Sequence, residues 1–173
     1  MKHLYFVRHG LSEANIAGVW SGTMETPLSA EGKRQAKLAG QSAKGLGIDH
    51  IICSSLSRAH DTAKIIAEEI GYPVEKIELN SLLLERHFGQ MEGQPYQLDA
   101  DVDGFIDVEA RESVLERAKL TLEHLAQLNA QVVLVVSHGS FGRAFRHIIT
   151  PEIPYNQSDP TTKLANAKLT KFI

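Results

Sequence analysis

The amino-acid sequence predicts an α/β fold with three layers, α/β/α, in which helices cover both faces of a mainly parallel sheet. Apolar, β-favouring runs alternate along the chain with longer segments of helical spacing. The run from Val132 to Val136 holds five apolar residues, four of them β-branched, as in a strand that is buried on both faces. A chain of 173 residues with 43% hydrophobic residues can bury the core of one such domain.

The first half of the chain contains two predicted strands and two predicted helices. Lys2 to Val7 is a short apolar run that ends at a polar pair, which is typical of a buried strand. Ser29 can cap a helix, which ends at the glycines that follow position 44. Ile51 to Cys53 is the second strand, and the segment from Ser57 to Gly71 has its apolar residues on one helical face.

The second half begins with a predicted third strand from Ile77 to Leu84. Residues 85–107 then contain glycines, a proline and no sustained period, which is the composition of a loop or lid. We therefore expect a single domain over residues 1–173, with a short lid or insertion at about 86–110.

Regular spacing returns after the predicted lid. Glu109 to Leu128 has helical periodicity, Val132 to Val136 is the fourth strand, and Gly139 to Ile149 is a helix that Pro151 stops. Lys168 to Ile173 alternates between polar and apolar residues, as an edge strand does. Strands that are separated by helices in this way predict mainly parallel pairing.

Polar side chains follow each of the four predicted parallel strands at its carboxyl end. They are Arg8 and His9 after the first strand, Arg58 shortly after the second, Glu85 after the third, and His138 after the fourth. The carboxyl ends of parallel strands lie at one edge of a sheet, and open α/β folds bind ligands there. We therefore expect two histidines, two arginines and a carboxylate to share one rim.

Two chemistries could use these residue types. Two histidines and a carboxylate can ligate a divalent metal ion, but the neighbouring arginines would place that ion among fixed positive charges. The second chemistry is phosphoryl transfer, which needs arginine donors for the phosphoryl oxygens, a nucleophile, and an acid for the leaving oxygen. The residue types at the rim match that second set, so the sequence disfavours the metal site.

Composition and charge exclude several classes of function. The formal net charge of −3 disfavours general binding to nucleic acid or to an anionic membrane. No apolar run approaches the roughly 20 residues of a membrane-spanning helix, and nothing indicates a signal peptide. The single cysteine, Cys53, cannot form an internal disulfide, which agrees with a reducing compartment. We expect a cytoplasmic protein that binds neither nucleic acid nor membranes, and the oligomeric state is not predicted.

Five segments of the chain carry motifs that occur together in one family. They are Leu4–Gly10 with Ser12–Asn15, Pro27–Gly32 with Gln35–Ala36, Ser54–Ala59 with Thr62–Ala63, Glu85–Gly89 with Glu92–Gly93, and Val136–Gly139. In this order they resemble the motifs of the histidine phosphatase superfamily, also called the phosphoglycerate mutase-like family. An Arg-His-Gly triplet alone is a weak signal, so the resemblance depends on all five segments, which together span nearly the whole chain.

The resemblance implies a role for each residue of the rim. His9 would be the nucleophile and take the phosphoryl group as a covalent phosphohistidine. Arg8, Arg58 and His138 would bind the phosphoryl oxygens, while Glu85 would protonate the leaving oxygen and later help to activate water. A neutral imidazole nitrogen is a competent nucleophile at neutral pH, and two steps replace one difficult step. No metal or other cofactor is required, because the arginines supply the positive charge.

Further residues are expected at the substrate. The resemblance implies that Asn15 assists in binding the phosphoryl group and that Gly139 contributes from the start of the last helix. Arg86 and Arg111 could reach a second anionic group on the substrate or remain solvated charges, and of the two we expect Arg86 at the substrate.

The sequence favours a metal-independent phosphomonoesterase that hydrolyses a small phosphorylated metabolite. Phosphoglycerate mutases of the family carry a much longer segment between the acid and the second histidine, whereas Glu85 and His138 are only 53 positions apart here. A short lid favours release and hydrolysis over retention of an intermediate. The alternatives are mutase-type phosphoryl transfer, a protein phosphatase, and a catalytically silent phosphate-binding module.

Overall fold

The computed structural model describes residues 1–97, 102–105, 107–156 and 159–173, and its centre is a five-stranded sheet. The strands are β1 (His3–Arg8), β2 (His50–Cys53), β3 (Glu78–Leu79), β4 (Val132–Ser137) and β5 (Thr170–Lys171). Their order across the sheet is β3-β2-β4-β1-β5. The first four strands are parallel, and β5 pairs antiparallel with β1. β5 lies at the edge of the sheet, within the segment from Lys168 to Ile173 that the sequence predicts as an edge strand.

Helices cover both faces of this sheet. Within the described ranges they are α1 (Glu13–Ala17), α2 (Ala30–Ala43), α3 (Ser57–Ile70), α4 (Arg111–Gln127) and α5 (Gly139–Ile149). Helices α4 and α5 pack on the face that contains Phe6 and Val135, whereas α2 and α3 pack on the face that contains Val7 and Val136. Because successive side chains of a strand point to opposite faces, β1 and β4 are buried on both sides. The predicted three-layer fold is confirmed.

The register of the two central strands positions the histidines. β1 and β4 pair in parallel along their whole length, with Arg8 opposite Ser137. The N–H of His9 donates to the carbonyl of Ser137 at 2.8 Å, which extends the ladder by one more bond. His9 and His138, which follow the two strands, therefore leave the sheet side by side.

The third strand is shorter than predicted. The sequence predicts a strand from Ile77 to Leu84, but β3 contains only Glu78 and Leu79. The chain turns after them, because the side chain of Asn80 accepts a hydrogen bond from the N–H two residues further on at 3.0 Å and begins a 3-10 turn. This turn buries Leu83 and carries the chain to Glu85, whose carboxylate contacts the start of α5.

One short helix, α1, is not predicted from the sequence. In α1, the N–H of Asn15 donates to Ser12 Oγ at 3.3 Å, and the N–H of Ser12 donates to Asn15 Oδ1 at 3.1 Å. Gly18 ends the helix in the left-handed region, at φ 66°. Five residues are too few for an apolar period to appear, so only this reciprocal cap could have predicted the helix.

The segment predicted as a lid, 86–110, contains two 3-10 turns among its described residues, Gly89–Met91 and Val102–Gly104. A small apolar cluster attaches it to the loop after α1, and its buried members are Trp20, Phe88, Val102 and Val108. Residues 98–101 and 106 of the predicted lid lie outside the described residues. That the segment closes over a substrate stays a prediction. None of the helices in the described ranges is long and apolar enough to cross a membrane.

Candidate active site

The carboxyl ends of the parallel strands bring together the five side chains that the sequence assigns to the chemistry. The rings of His9 and His138 lie edge to face, with their centroids 5.2 Å apart. Arg58 enters from the first turn of α3, and Arg8 is the last residue of β1. Glu85 comes from the loop that follows the 3-10 turn after β3.

The ring of His9 is held in one protonation state by its surroundings. Nδ1 donates to the carbonyl of Gly10 at 2.7 Å, since a carbonyl can only accept. Nε2 accepts a hydrogen bond from Nε of Arg58 at 3.3 Å. Burial, Arg8 and Arg58 together hold the pKa of His9 well below its usual value, because each of them disfavours a charged ring. His9 is therefore neutral, and Nε2 carries its lone pair.

The backbone around His9 is fixed by its neighbours. The N–H of Gly10 donates to Thr62 Oγ1 at 3.0 Å, and the side chain of Asn166 donates to the carbonyl of His9 at 2.9 Å. A Cβ at Gly10 would lie 2.3 Å from the carbonyl oxygen of Gly32, so only glycine allows the two loops to approach this closely. The carbonyl that orients the His9 ring is thereby held in place.

Arg58 is fully buried and uses all of its guanidinium nitrogens. Besides its contact with His9, Nη1 donates to the carbonyl of Met24 at 2.8 Å and Nη2 to the carbonyl of Gly22 at 2.6 Å. Burial lowers the pKa of Arg58, while the carboxylates of Glu85 and Glu25 raise it. A buried cation at the positive end of a helix is unfavourable by itself, so this placement favours an anion-binding role.

Arg8 lies flat against the start of α5. Its Nη1 donates to the carbonyl of Leu164 at 3.0 Å, whereas Nε has no hydrogen-bond partner among the described residues. A Cβ at Gly139 would lie 3.3 Å from the Cζ and Nε atoms of Arg8, so the glycine leaves room for the guanidinium. Burial lowers the pKa of Arg8, and the carboxylate of Glu85 raises it.

His138 is the N-cap residue of α5 and is fully buried. Its Nε2 lies 2.8 Å from Ser54 Oγ. Its Nδ1 has no hydrogen-bond partner within the described ranges. Burial is the main cause of a pKa well below the usual histidine value, and Arg58, His9 and Arg8 lower it further.

The carboxylate of Glu85 caps the amino end of α5. Its oxygens accept hydrogen bonds from the N–H groups of Ser140 at 3.1 Å, Phe141 at 2.9 Å and Arg86 at 2.9 Å. Negative charge at this end of a helix is favourable. Glu85 also borders the cleft described next, so the same carboxyl group can reach a bound molecule.

A cleft of about 250 Å³ opens above these residues. Arg8, Asn15, Glu85 and Gly139 are among its lining residues, whereas His9, Arg58 and His138 are almost completely buried and do not line it. The remaining lining residues are Leu11, Gly18, Val19, Trp20, Ser21, Gly22, Phe88, Tyr96, Ser140, Arg143, Lys163, Leu164 and Asn166.

Arg86, expected at the substrate, does not line the cleft. It is buried, its Nε donates to the carbonyl of Glu109 at 2.8 Å, and its Nη2 forms an ion pair with Asp103. Its contacts connect it to Asp103 and Glu109, within the predicted lid, instead. Arg111 likewise lies outside the cleft lining, with its guanidinium over the ring of Tyr155 at 5.0 Å.

The structure adds cleft residues that sequence reasoning missed. Arg143 is four residues after Gly139 on α5, and this helical spacing could have placed it on the same face. Lys163 and Asn166 come from the loop before β5, where no period or turn signal indicates their position. Among the described residues, no group of three or more histidine, cysteine or acidic side chains could hold a metal ion.

Comparison with known proteins decides the family. The family model for the histidine phosphatase superfamily (branch 1) matches residues 4–173. The chain belongs to the histidine phosphatase superfamily. As a histidine phosphatase, it has the enzyme class and the α/β fold that the motifs predict, and the match includes every residue of the rim described above.

Relatives and solved structures of this superfamily extend the comparison. The chain is 38% identical over 151 residues to a Klebsiella pneumoniae protein named "Probable phosphoglycerate mutase GpmB", an alignment that covers 80% of this chain and 70% of that one. A mycobacterial glucosyl-3-phosphoglycerate phosphatase with bound VO3 has a TM-score of 0.81 and 25% identity, covering 99% of this histidine phosphatase and 92% of that chain. An α-ribazole phosphatase from Shigella flexneri, at 23% identity, shares the fold with a TM-score of 0.80, covering 98% and 89%.

Proposed function

We propose that this histidine phosphatase hydrolyses phosphate monoesters of small metabolites through a phosphohistidine on Nε2 of His9. The state of His9 is the observation that carries the proposal. Its Nδ1–H is bound to the carbonyl of Gly10, so the lone pair of the neutral ring lies on Nε2, next to Arg58. A lone pair beside fixed positive charge suits attack on phosphorus, whose oxygens carry negative charge.

In the first step, Nε2 of His9 forms a bond to phosphorus while the bond between phosphorus and the ester oxygen breaks. The electron pair of that bond leaves with the ester oxygen, which takes a proton from the carboxyl group of Glu85 and departs as an alcohol. Glu85 is the one acidic side chain among the described residues that line the cleft, which supports this role.

The cationic groups act on the phosphoryl oxygens during this step. Nε of Arg8 is a buried donor without a partner in the described part of the chain, and a phosphoryl oxygen would supply one. Nε of Arg58 donates to His9 in the free protein and would turn to a phosphoryl oxygen once Nε2 is bonded to phosphorus. The two arginines thus offset charge that moves onto the transferring group.

In the second step, a water molecule attacks phosphorus and the bond between phosphorus and Nε2 breaks. The electron pair of that bond returns to Nε2, and the proton of the water passes to the carboxylate of Glu85. Inorganic phosphate is released, His9 regains its lone pair on Nε2, and Glu85 regains the proton that it gave up in the first step. The bond from Nδ1–H to the carbonyl of Gly10 stabilises the positive charge of the phosphorylated ring.

The side chains that line the cleft support one class of phosphate ester as the substrate. Trp20 and Tyr96 form an aromatic wall, with ring centroids 4.4 Å apart. Arg143 and Lys163 contribute positive charge to the same cleft. The substrate is therefore a phosphate ester that carries a second anionic group, such as a carboxylate. Phosphoglycerates are esters of this kind, and the names of one relative and one structural neighbour refer to them.

Mutase activity is the second candidate, because a relative at 38% identity carries the name "Probable phosphoglycerate mutase GpmB". A mutase must hold its phosphorylated intermediate while the intermediate turns around, which requires closure against water. The segment between Glu85 and α4 is short, and this favours hydrolysis. Incubation with 3-phosphoglycerate separates the two: a phosphatase releases inorganic phosphate, whereas a mutase yields 2-phosphoglycerate.

The direct test of the proposal is hydrolysis of a panel of phosphate esters in the presence of a metal chelator. We expect full activity with chelator, loss of nearly all activity in His9→Ala, and wild-type activity in His3→Ala. His3 is an exposed histidine at the start of β1, the strand that precedes His9, and serves as the matched control. Activity that the chelator abolishes and a divalent cation restores would contradict the proposal.

A further inference from the structure

A buried hydroxyl group holds one ring nitrogen of His138. Ser54 follows the last residue of β2 and is fully buried, and its Oγ lies 2.8 Å from Nε2 of His138. The same oxygen accepts a hydrogen bond from the N–H of Leu56 at 3.3 Å. The other ring nitrogen of His138, Nδ1, is buried and has no partner among the described residues.

In the hydrogen bond between Ser54 and His138, the hydrogen atom belongs either to Oγ or to Nε2. The two arrangements leave different polar groups without a hydrogen-bond partner. If Nε2 carries the proton, Ser54 Oγ accepts two hydrogen bonds, and neither its own proton nor the Nδ1 lone pair has a partner among the described residues. If the hydroxyl donates to Nε2, the remaining unpaired group of the two side chains is the Nδ1–H of His138. Unpaired buried polar groups are costly, so the second arrangement is favoured.

His138 carries a single ring proton in the free protein. Burial and the nearby groups Arg58, His9 and Arg8 hold the pKa of its ring well below the usual value, so the ring is neutral. A neutral imidazole has one donor and one acceptor nitrogen. Nε2 contacts Ser54, so the position of the single ring proton decides whether Nδ1 is a hydrogen-bond donor or an acceptor.

We infer that Ser54 is a positioning residue: it keeps the proton of His138 on Nδ1, so that this nitrogen donates to a phosphoryl oxygen. A phosphoryl oxygen only accepts, and the opposite tautomer would turn a lone pair towards it. The identity of the acceptor rests on the proposed function, whereas the position of the proton is a property of the free protein. The two can therefore be tested separately.

Nitrogen NMR of protein labelled with ¹⁵N-histidine reports the position of the proton directly. In the wild-type protein we expect His138 to show a protonated Nδ1 and an unprotonated Nε2, with the signal identified by its loss in His138→Asn. Ser54→Ala removes the preference, and the ring should distribute between both tautomers. Ser54→Thr retains the hydroxyl and should retain the wild-type pattern. Ser55→Ala is the matched control, because Ser55 is an exposed serine next in the chain.

A protonated Nε2 in the wild-type protein would overturn the inference, and so would an unchanged tautomer in Ser54→Ala. The wild-type spectrum alone can give the first of these results, so the test does not depend on the folding of the alanine variant.

Binding of vanadate supplies the second measurement. We expect Ser54→Ala to bind vanadate about tenfold more weakly, the effect of one neutral hydrogen bond, while Ser54→Thr and Ser55→Ala bind it as the wild type does. Wild-type affinity in Ser54→Ala would overturn the role assigned to the serine. If the NMR result is as expected but no phosphohistidine forms on any ester, the proposed function fails and the assignment of the proton stands.

Discussion

Nε of Arg58 lies 3.3 Å from Nε2 of His9, while the other two nitrogens of the same guanidinium hold the carbonyls of Gly22 and Met24. One side chain therefore connects the nitrogen expected to attack phosphorus with a loop that borders the cleft. A lysine has one nitrogen and cannot reproduce this planar set of three donors.

Arg58→Lys should be badly impaired although it keeps the charge. We expect kcat/KM to fall by about 10- to 10²-fold for each hydrogen bond lost, since a hydrogen bond to a charged group contributes about 1.5–3 kcal/mol. Vanadate binding should weaken in parallel. Arg34→Lys is the control, because Arg34 lies exposed on α2 and pairs with Glu31. Wild-type anion affinity in Arg58→Lys would place Arg58 outside the phosphoryl pocket.

Stability should depend on pH through the buried histidines. The pKa of His9 is well below its usual value of about 6.5, so the unfolded chain takes up a proton below that pH and the folded protein does not. Unfolding is then coupled to proton uptake, and the free energy of unfolding falls as the pH drops below about 6.5. Between pH 7.5 and 5.5 this amounts to about 1.4 kcal/mol for one histidine.

Urea unfolding of wild type and His9→Asn at both pH values checks this expectation. The asparagine variant should lose about 1.4 kcal/mol less of its unfolding free energy on acidification, whereas His3→Asn, at an exposed position, should behave as the wild type does. The same pH dependence in wild type and His9→Asn would mean that His9 titrates normally in the folded protein.

Glu85→Gln tests the acid by its dependence on the leaving group. An alkyl phosphate leaves as a strongly basic alkoxide and needs a proton, whereas p-nitrophenyl phosphate leaves as a weakly basic phenolate. The variant should slow kcat/KM for alkyl phosphates more than for p-nitrophenyl phosphate, by a ratio on the order of 10²–10⁴.

Comparing two substrates in the same variant also cancels the effect of the substitution on protein stability. Glu85 accepts three backbone hydrogen bonds, so Glu85→Gln should lower stability as well, and both substrates experience that loss equally. Equal losses on the two substrates would mean that Glu85 shapes the start of α5 without acting as the acid. Glu112→Gln, at an exposed position in the first turn of α4, is the control.

Lys163 should distinguish substrates with a second anionic group from those without one. We expect Lys163→Met to raise KM for 3-phosphoglycerate by about tenfold and to leave KM for glycerol 1-phosphate within about twofold, because only the first ester has a carboxylate to lose an interaction worth about 1.4 kcal/mol. Lys168→Met, at an exposed position in the same loop, should change neither value. An equal rise for both esters would contradict the proposed substrate class.

The sequence predicts secondary structure best where all residues of a segment lie in the same environment. Val132 to Val136 forms a strand as predicted, because a run of β-branched residues fits a strand buried on both faces. The prediction for Ile77 to Leu84 was wrong in length, because the turn after Leu79 depends on one hydrogen bond of Asn80 that no periodicity indicates.

The sequence predicts the positions of those site residues that follow directly from the strand topology. Because parallel strands end at one edge, the sequence was sufficient to bring His9 and His138 together. Arg86 shows the limit: its partner Asp103 lies 17 residues further along an irregular segment, so nothing in the sequence indicates that the arginine turns away from the cleft. The hydrogen bond between Ser54 and His138 likewise joins residues that follow two neighbouring strands, β2 and β4, and the sequence does not indicate it.

The phosphohistidine itself is the most direct test of the account. Protein mixed with a ³²P-labelled ester and quenched in cold alkali within one turnover should carry label on the peptide that contains His9. The label should be stable to alkali and lost in acid, and should form and decay at least as fast as the overall reaction. His3→Ala should be labelled as the wild type is, and His9→Ala should not. Turnover at the wild-type rate without labelled protein, or label that persists in His9→Ala, would contradict the central claim.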